Sequence, residues 1–168
     1  MQCFLGSSQT LDTIVWSASN RLEWKDFRAK PKPSFKAAAI TASGITYSFS
    51  SIARGSAVSA EFKVFAYFYP DKSWYKPQIC DDFVLMHEQL HFDITELYAR
   101  KFRKRLSEIT FSLNIKNEVN DVYTAVLEEL HNLQELYDWE TTFSINREAQ
   151  VKWNTKITNQ LEALSDWQ

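Results

Sequence analysis

The chain divides near residue 78 by its use of glycine and proline. All 3 glycines and all 4 prolines lie before that position, and the remainder contains neither. Both residue types interrupt helices, so their absence permits long helices in the second half, whereas the first half must contain turns. This asymmetry predicts an α+β protein that is β-rich over residues 1–80 and helical over residues 81–168. We expect one domain, because 168 residues suit a single hydrophobic core.

The first half contains patterns that are typical of short strands. Residues 59–69 alternate between apolar and other side chains and form the strongest strand candidate. Residues 37–50 resemble a hairpin that turns at Ser43-Gly44, and residues 13–16 are typical of a further short strand. We therefore expect a small twisted sheet before residue 80. The apolar face of its main strand consists of Phe62, Val64, Ala66 and Phe68.

Three helices are predicted after residue 80. Asp81-Asp82 is a suitable N-cap for the first, and Asn146 is a suitable N-cap for the third. The predicted helices run from this first cap to about Leu106, from Glu118 to about Trp139, and from Arg147 to Leu164.

Two patterns on the first helix predict which of its faces meet the core and which meet solvent. Apolar residues recur at helical spacing and predict a stripe that faces the core. They are Phe83, Met86, Leu90, Ile94 and Leu97. Basic residues cluster near the end of the same helix, where we favour a solvated face that complements the helix dipole over an anion or partner site. They are Arg100, Lys101, Arg103, Lys104 and Arg105.

The first helix carries His87-Glu88-Gln89-Leu90-His91, which has the pattern H-E-x-x-H. Residues four apart lie on one helix face, so both imidazoles can bind the same zinc ion. Glu88 lies beside them, where it can act as a general base toward water. The alternative is a pair of histidines that are hydrogen-bonded at a helix surface. Two of the 3 histidines in the chain stand in this motif, and we favour the metal site.

A catalytic zinc site of this kind needs a third protein ligand. We favour Glu140 at the end of the second helix, followed by Asp138, with His131 and Glu135 as further candidates. A phenol close to the metal could stabilise the oxyanion that forms when water attacks a carbonyl, and Tyr137 is the candidate. The alternative for Tyr137 is a packing role, and the alternative for each acid is a solvated helix face.

Two acids on the motif helix itself are poor ligand candidates. Glu96 lies five residues beyond His91 and points away from the histidine face on a continuous helix. Asp93 is also rotated off that face and suits a salt bridge or a supporting contact better.

A peptide substrate could pair with an exposed sheet edge above the metal. Residues 59–69 or residues 71–76 could provide that edge, although an interior strand is the better interpretation of the aromatic-rich residues 65–69.

Composition and charge exclude some classes of protein. A net charge of -2 argues against a general nucleic-acid binder, and the apolar run at 64–69 is far too short to span a bilayer. Residues 1–6 lack the charged and apolar regions of a signal peptide.

Cys3 and Cys80 permit one disulfide or remain two thiols. We expect a monomer that acts on a peptide or protein, without nucleic acid and without a transmembrane segment.

Residues 87–100 resemble the motif helix of a bacterial family described as predicted secreted zinc-dependent proteases, otherwise a domain of unknown function. The resemblance extends over roughly residues 13–165. The other similar elements are W-x-D-F at 24–27, the pair Ser73-Trp74, Y-D-x-E-T at 137–141 and Q-x-x-W at 150–153.

The resemblance implies a zincin-like (gluzincin-like) metalloprotease domain, with zinc at His87 and His91 and a general base at Glu88. It also implies a periplasmic or secreted location. One position departs from the family pattern, in which a histidine follows Y-D-x-E-T two residues later, because this chain has Phe143 there. If that histidine acts as a ligand or oxyanion donor in relatives, this chain has lost it.

Three functions are therefore expected in order of preference. The first is a zinc-dependent metallopeptidase, a hydrolase in which Glu88 activates the attacking water. The second is a catalytically degenerate module that binds peptides or proteins, which Phe143 motivates. The third is a metal-dependent hydrolase of a non-peptide amide or ester in the cell envelope.

Overall fold

A long β-hairpin precedes three helices in the computed structural model, which describes residues 12–32 and 37–168. This arrangement confirms the predicted α+β class. The strands are β1 (Ile14–Val15), β2 (Ala39–Ile40), β3 (Ser43–Arg54), β4 (Ala57–Phe68) and β5 (Trp74–Tyr75). The helices are α1 (Asp82–Ser107), α2 (Ile115–Thr141) and α3 (Arg147–Ala163), and short 3₁₀ turns lie at Trp24–Asp26, Pro70–Lys72 and Ser165–Trp167.

The strands form two antiparallel sheets, ordered β1-β4-β3 and β2-β5. The predicted hairpin turn at Ser43-Gly44 is wrong, because these residues begin β3 and pair with β4. The hairpin turns instead at Gly55, whose φ of 65° lies in the left-handed region that glycine adopts without strain. The predicted strand at 59–69 is confirmed as β4, and its expected apolar face is the buried one.

Helix α1 is the centre of the molecule. It packs against β3 and β4 on one side and against α2 and α3 on the others. Every residue from His87 to Arg100 is buried except His91, which is partly buried. The N-cap is Asp81, as predicted, and its Oδ1 accepts from the backbone N–H groups of Phe83 and Val84 at 3.0 and 2.9 Å. A helix enclosed in this way buries polar side chains that must find partners.

The predicted ends of the helices agree with the structure to within a few residues. Helix α1 ends at Ser107, and α3 follows the predicted cap, because the Asn146 side chain accepts from Ala149 N at 3.1 Å. Helix α2 is longer than predicted at both ends, since it begins at Ile115 and ends at Thr141.

Two of the basic residues near the end of α1, Arg100 and Arg103, do not belong to the solvated face that we expected, whereas Lys104 is exposed. Arg100 Nε donates to Glu96 Oε1 at 3.0 Å in a buried pair. Arg103 donates to the same oxygen at 3.1 Å and to the carbonyl oxygens of Val64 and Trp167, both at 2.8 Å. The Arg103 guanidinium therefore joins α1 to β4 and to the C-terminal turn.

No helix in the described ranges is long and apolar enough to cross a membrane, in agreement with the predicted lack of a transmembrane segment. The possible disulfide involves Cys3, which lies outside the described residues. Its candidate partner Cys80 donates its thiol to Ala38 O at 3.3 Å.

Candidate metal centre

Three ligand-type side chains meet where α1 crosses the end of α2. His91 Nε2 lies 3.2 Å from His87 Nε2 and 3.0 Å from Asp138 Oδ1, and His87 Nε2 lies 3.1 Å from the same carboxylate oxygen. The two histidines are one helical turn apart on α1, as their spacing predicts. Together with Asp138 they form a group that could hold a metal ion.

The carboxylate at this centre belongs to Asp138, and this corrects the preference for Glu140 as the third ligand. Glu140 Oε2 accepts from Trp153 Nε1 at 2.7 Å, on the side of α2 that faces α3. Two residues along a helix correspond to a rotation of about 200°, so neighbouring carboxylates at this spacing cannot serve the same face. Asp138, which we ranked second, is the acid that α2 turns toward His87 and His91.

The remaining acids and His131 are not part of the group formed by His87, His91 and Asp138. His131 Nε2 and Glu135 Oε1 are 3.2 Å apart, and both side chains are mostly exposed. Asp93 forms a salt bridge with Arg21 at 2.7 Å, which is the supporting role that we expected for it. Glu96 binds the arginines of α1 described above.

Two glutamines contact the other ring nitrogen of each histidine. Gln150 Oε1, from α3, lies 2.9 Å from His87 Nδ1. Gln134 Oε1, from α2, contacts His91 Nδ1, and its Nε2 donates to His91 O at 3.0 Å. We did not identify either residue from the sequence as part of the site. Gln134 precedes Asp138 by four residues and so shares its helix face. This spacing is the sequence feature that could have identified Gln134 as part of the site.

Tyr137 packs in the core against His87, an arrangement that agrees with the packing role better than with the predicted role toward an oxyanion. The side chain is completely buried and does not line the adjoining cavity. Its ring stacks on His87 with centroids 4.5 Å apart, and its hydroxyl donates to Gln150 Oε1 at 2.7 Å. Burial raises the pKa of Tyr137, so the phenol stays protonated and acts as a donor within the core.

Glu88 combines burial with an unpaired oxygen. The residue is 4% exposed, and its Oε2 has no hydrogen-bond partner among the described residues. Its backbone oxygen is held by Thr41 Oγ1 at 3.1 Å, and the residue lines the same cavity as both histidines. A buried carboxylate oxygen without a partner is costly in a structural role, and such atoms are typical of functional sites.

Charge interactions among the cluster shift two pKa values in opposite directions. Burial would raise the pKa of Asp138, but its hydrogen bonds with His87 and His91 hold the pKa of that carboxyl well below its usual range. Burial would lower the pKa of His91, but Asp138 and the negative charge of Glu88 outweigh this effect and raise it. The centre therefore favours a positive charge between its carboxylate and its imidazoles.

A cavity of about 1140 Å³ opens beside the three side chains. Its walls include residues 37–43, which contain β2, and residues 142–145, which follow α2. Large apolar side chains stand at its rim, since Ile79, Phe143 and Ile145 are 60%, 65% and 77% exposed. The strand that borders the cavity is β2, not either of the predicted edge segments, and in the described ranges β2 pairs only with β5.

The fold and the cluster define an α+β protein with a histidine–aspartate group that could hold a metal ion. A family model described as bacterial protein of unknown function (DUF922) matches residues 71–144. The matched stretch contains the H-E-x-x-H motif and Asp138, whereas Gln150 lies beyond it. No curated protein and no solved structure matches the chain. The resemblance is thus supported as one to a bacterial domain of unknown function over this stretch.

Proposed function

We propose that this protein is a zinc-dependent metallopeptidase with a zincin-like catalytic domain. The observation that carries the proposal is the meeting of His87 Nε2, His91 Nε2 and Asp138 Oδ1 within 3.2 Å, in a cavity that Glu88 also lines with an oxygen, Oε2, that has no partner among the described residues. The ligand-type atoms and the candidate base face one cavity, so a bound substrate would meet both.

The donor set supports zinc as the metal. Two imidazole nitrogens and one carboxylate oxygen form a ligand set of catalytic zinc sites, which keep a further position open for water or substrate. An all-oxygen set would instead favour magnesium or calcium, and a thiolate-rich set would favour a structural zinc site. His87, His91 and Asp138 would hold the ion, and Asp138 replaces Glu140 in this assignment.

Glu88 is the proposed general base and general acid. A zinc ion at this site would polarise a substrate carbonyl and lower the pKa of a water molecule. The Glu88 carboxylate has an oxygen with no competing partner among the described residues, so it can accept a proton from the attacking water. The same oxygen can then deliver that proton to the nitrogen of the departing amine as the peptide bond breaks.

The surroundings of the cavity support a peptide or protein substrate. The β2 edge on its wall could pair with an extended peptide backbone, and the exposed apolar rim could receive an apolar side chain. Phe143 belongs to this rim, and the group of two histidines and Asp138 forms without a histidine at position 143. The proposed activity lies in the periplasm or outside the cell, as the resemblance implies.

Substitution of the proposed base tests the function. Glu88→Gln should retain zinc but reduce hydrolysis by about 10²- to 10⁴-fold, because the amide cannot accept the proton from water. Cleavage of a peptide library, followed by mass spectrometry, measures activity, and metal analysis of the purified protein measures zinc content. Glu128→Gln is the matched control, because Glu128 is exposed on α2 and does not line the cavity.

Three outcomes separate the competing functions. Wild-type activity in Glu88→Gln would contradict the assigned base. Tight peptide binding without any cleavage would identify the binding module that the exposed apolar rim also suits. Cleavage of cell-wall fragments, with no cleavage of peptides, would identify the hydrolase of a non-peptide substrate.

A further inference from the structure

We propose that Gln134 and Gln150 are positioning residues that set the protonation pattern of His91 and His87, so that both Nε2 atoms are free to bind a cation. This inference rests on the proposed zinc site and concerns how the protein prepares it. Gln134 reaches His91 from α2, and Gln150 reaches His87 from α3.

The orientation of the Gln134 amide toward His91 is determined more tightly than that of the Gln150 amide toward His87. Gln134 Nε2 lies 3.0 Å from His91 O, and a backbone carbonyl oxygen can only accept, so the nitrogen end of the amide must face it. The oxygen end therefore faces His91 Nδ1. Because an amide oxygen also only accepts, His91 Nδ1 must carry the proton, and the neutral ring has its lone pair on Nε2.

Gln150 imposes the same pattern on His87 through a different set of contacts. Its Nε2 donates to Asn154 Oδ1 at 2.9 Å, while Asn154 Nδ2 contacts Met86 Sδ at 3.0 Å. Its Oε1 accepts from Tyr137 at 2.7 Å and lies 2.9 Å from His87 Nδ1. The imidazole must donate from Nδ1 in this arrangement, which leaves Nε2 of the neutral ring without a proton.

The two amides consequently direct three lone-pair atoms at one another. With both Nδ1 atoms protonated, the neutral Nε2 atoms of His87 and His91 and the Asp138 carboxylate meet at 3.0 to 3.2 Å with no hydrogen atom among them. Such an arrangement is repulsive until a cation, either a metal ion or a proton, enters it. Since the supports are neutral amides and not carboxylates, they orient the rings without adding negative charge to the centre.

Ring nitrogen chemical shifts of the metal-free protein test the inference directly. At a pH where the imidazoles are neutral, ¹⁵N NMR should show the Nδ1–H form for both His87 and His91. In Gln134→Met, His91 should shift toward the Nε2–H form, because Asp138 then offers the better acceptor. A predominant Nε2–H form for either ring in the wild-type protein would overturn the proposal, whether or not the variant folds.

Zinc affinity gives a second measurement that does not depend on turnover. Gln134→Met and Gln150→Met should each weaken zinc binding by about 10- to 100-fold. Gln150→Glu should retain the affinity, because the carboxylate still accepts from His87 Nδ1 and the Asn154 amide can rotate to donate to it. Gln89→Met is the matched control, since Gln89 is a buried glutamine on α1 that accepts from Leu22 N and donates to Asp93.

The outcomes distinguish this inference from the proposed function. Unchanged zinc affinity in both methionine variants, or equal losses in Gln89→Met, would overturn the positioning role even if the protein cleaves peptides. Weaker zinc binding with the expected change of ring form would support it even if no peptide is cleaved.

Discussion

At the scale of single residues, His91 and Asp138 stabilise each other's charged forms in the metal-free protein. The raised pKa of His91 contributes stability that is fully present below its ordinary value of 6.5 and is lost as the pH rises through the folded value. The depressed pKa of Asp138 contributes stability that is present above its ordinary value of 3.8 and is lost as the pH falls through the folded value. Both contributions therefore coincide between these two ordinary values, on the acidic side of neutrality.

The metal-free protein should thus lose stability as the pH rises above the ordinary imidazole pKa of 6.5 and through the raised pKa at which His91 gives up its proton. Urea unfolding in the presence of a chelator measures this trend. Asp138→Asn should flatten it, because the uncharged amide no longer holds the proton on His91. An equal pH dependence in both proteins would show that the trend arises elsewhere in the chain.

At the scale of elements, the link between α2 and α3 is unusual. Thr142, Phe143 and Ser144 have φ values of 51°, 51° and 72°, so three successive residues other than glycine adopt left-handed backbone. Each such residue costs about 1–2 kcal/mol, and a β-branched residue such as Thr142 is the least suited to it. The strained link ends α2 just after Asp138 and begins α3 just before Gln150. It therefore connects the residues that contact the two histidines.

Thr142→Gly should stabilise the protein by about 0.5–1 kcal/mol, because glycine removes the left-handed strain but loses more backbone freedom on folding. Urea unfolding of the zinc-free protein measures the change. Thr142→Ala is the control, since alanine retains the strain and should give little or no gain. Destabilisation by Thr142→Gly would mean that contacts of the threonine side chain outweigh the backbone effect.

At the scale of the whole molecule, a metal ion would join helices that the chain brings together only on folding. His87 and His91 belong to α1, whereas Asp138 belongs to α2 and lies 51 positions from His87 along the chain. The unfolded chain has no such site, so the free energy of zinc binding adds to the free energy of unfolding. This connection through a metal ion would lie at the centre of the fold, because α1 packs against the sheet and both other helices.

Zinc at a free concentration 100-fold above its Kd should raise the free energy of unfolding by about 2.7 kcal/mol. Thermal or urea unfolding with and without zinc measures this difference, and a chelator should reverse it. Asp138→Ala should abolish most of the zinc-dependent gain, whereas Glu140→Ala should retain it while losing the hydrogen bond to Trp153. Loss of the zinc-dependent gain in Glu140→Ala, together with its retention in Asp138→Ala, would identify Glu140 as the ligand.

The sequence could predict features that depend on neighbouring residues. Asp81 and Asn146 cap helices that begin at the next residue, because an N-cap contacts backbone N–H groups only two or three positions away. The spacing of His87 and His91 likewise determines that both rings leave one face of α1. These interactions lie within one or two helical turns, so local sequence is sufficient to specify them.

Only the tertiary structure decided which distant groups complete the site. Asp138 and Glu140 are equivalent acids in sequence, and the rotation of α2 against α1 selects between them. The same packing brings Gln134 and Gln150 to the histidines across 43 and 63 positions of the chain. Sequence spacing determines where a side chain points on its own helix, but helix packing determines which side chains of different helices meet.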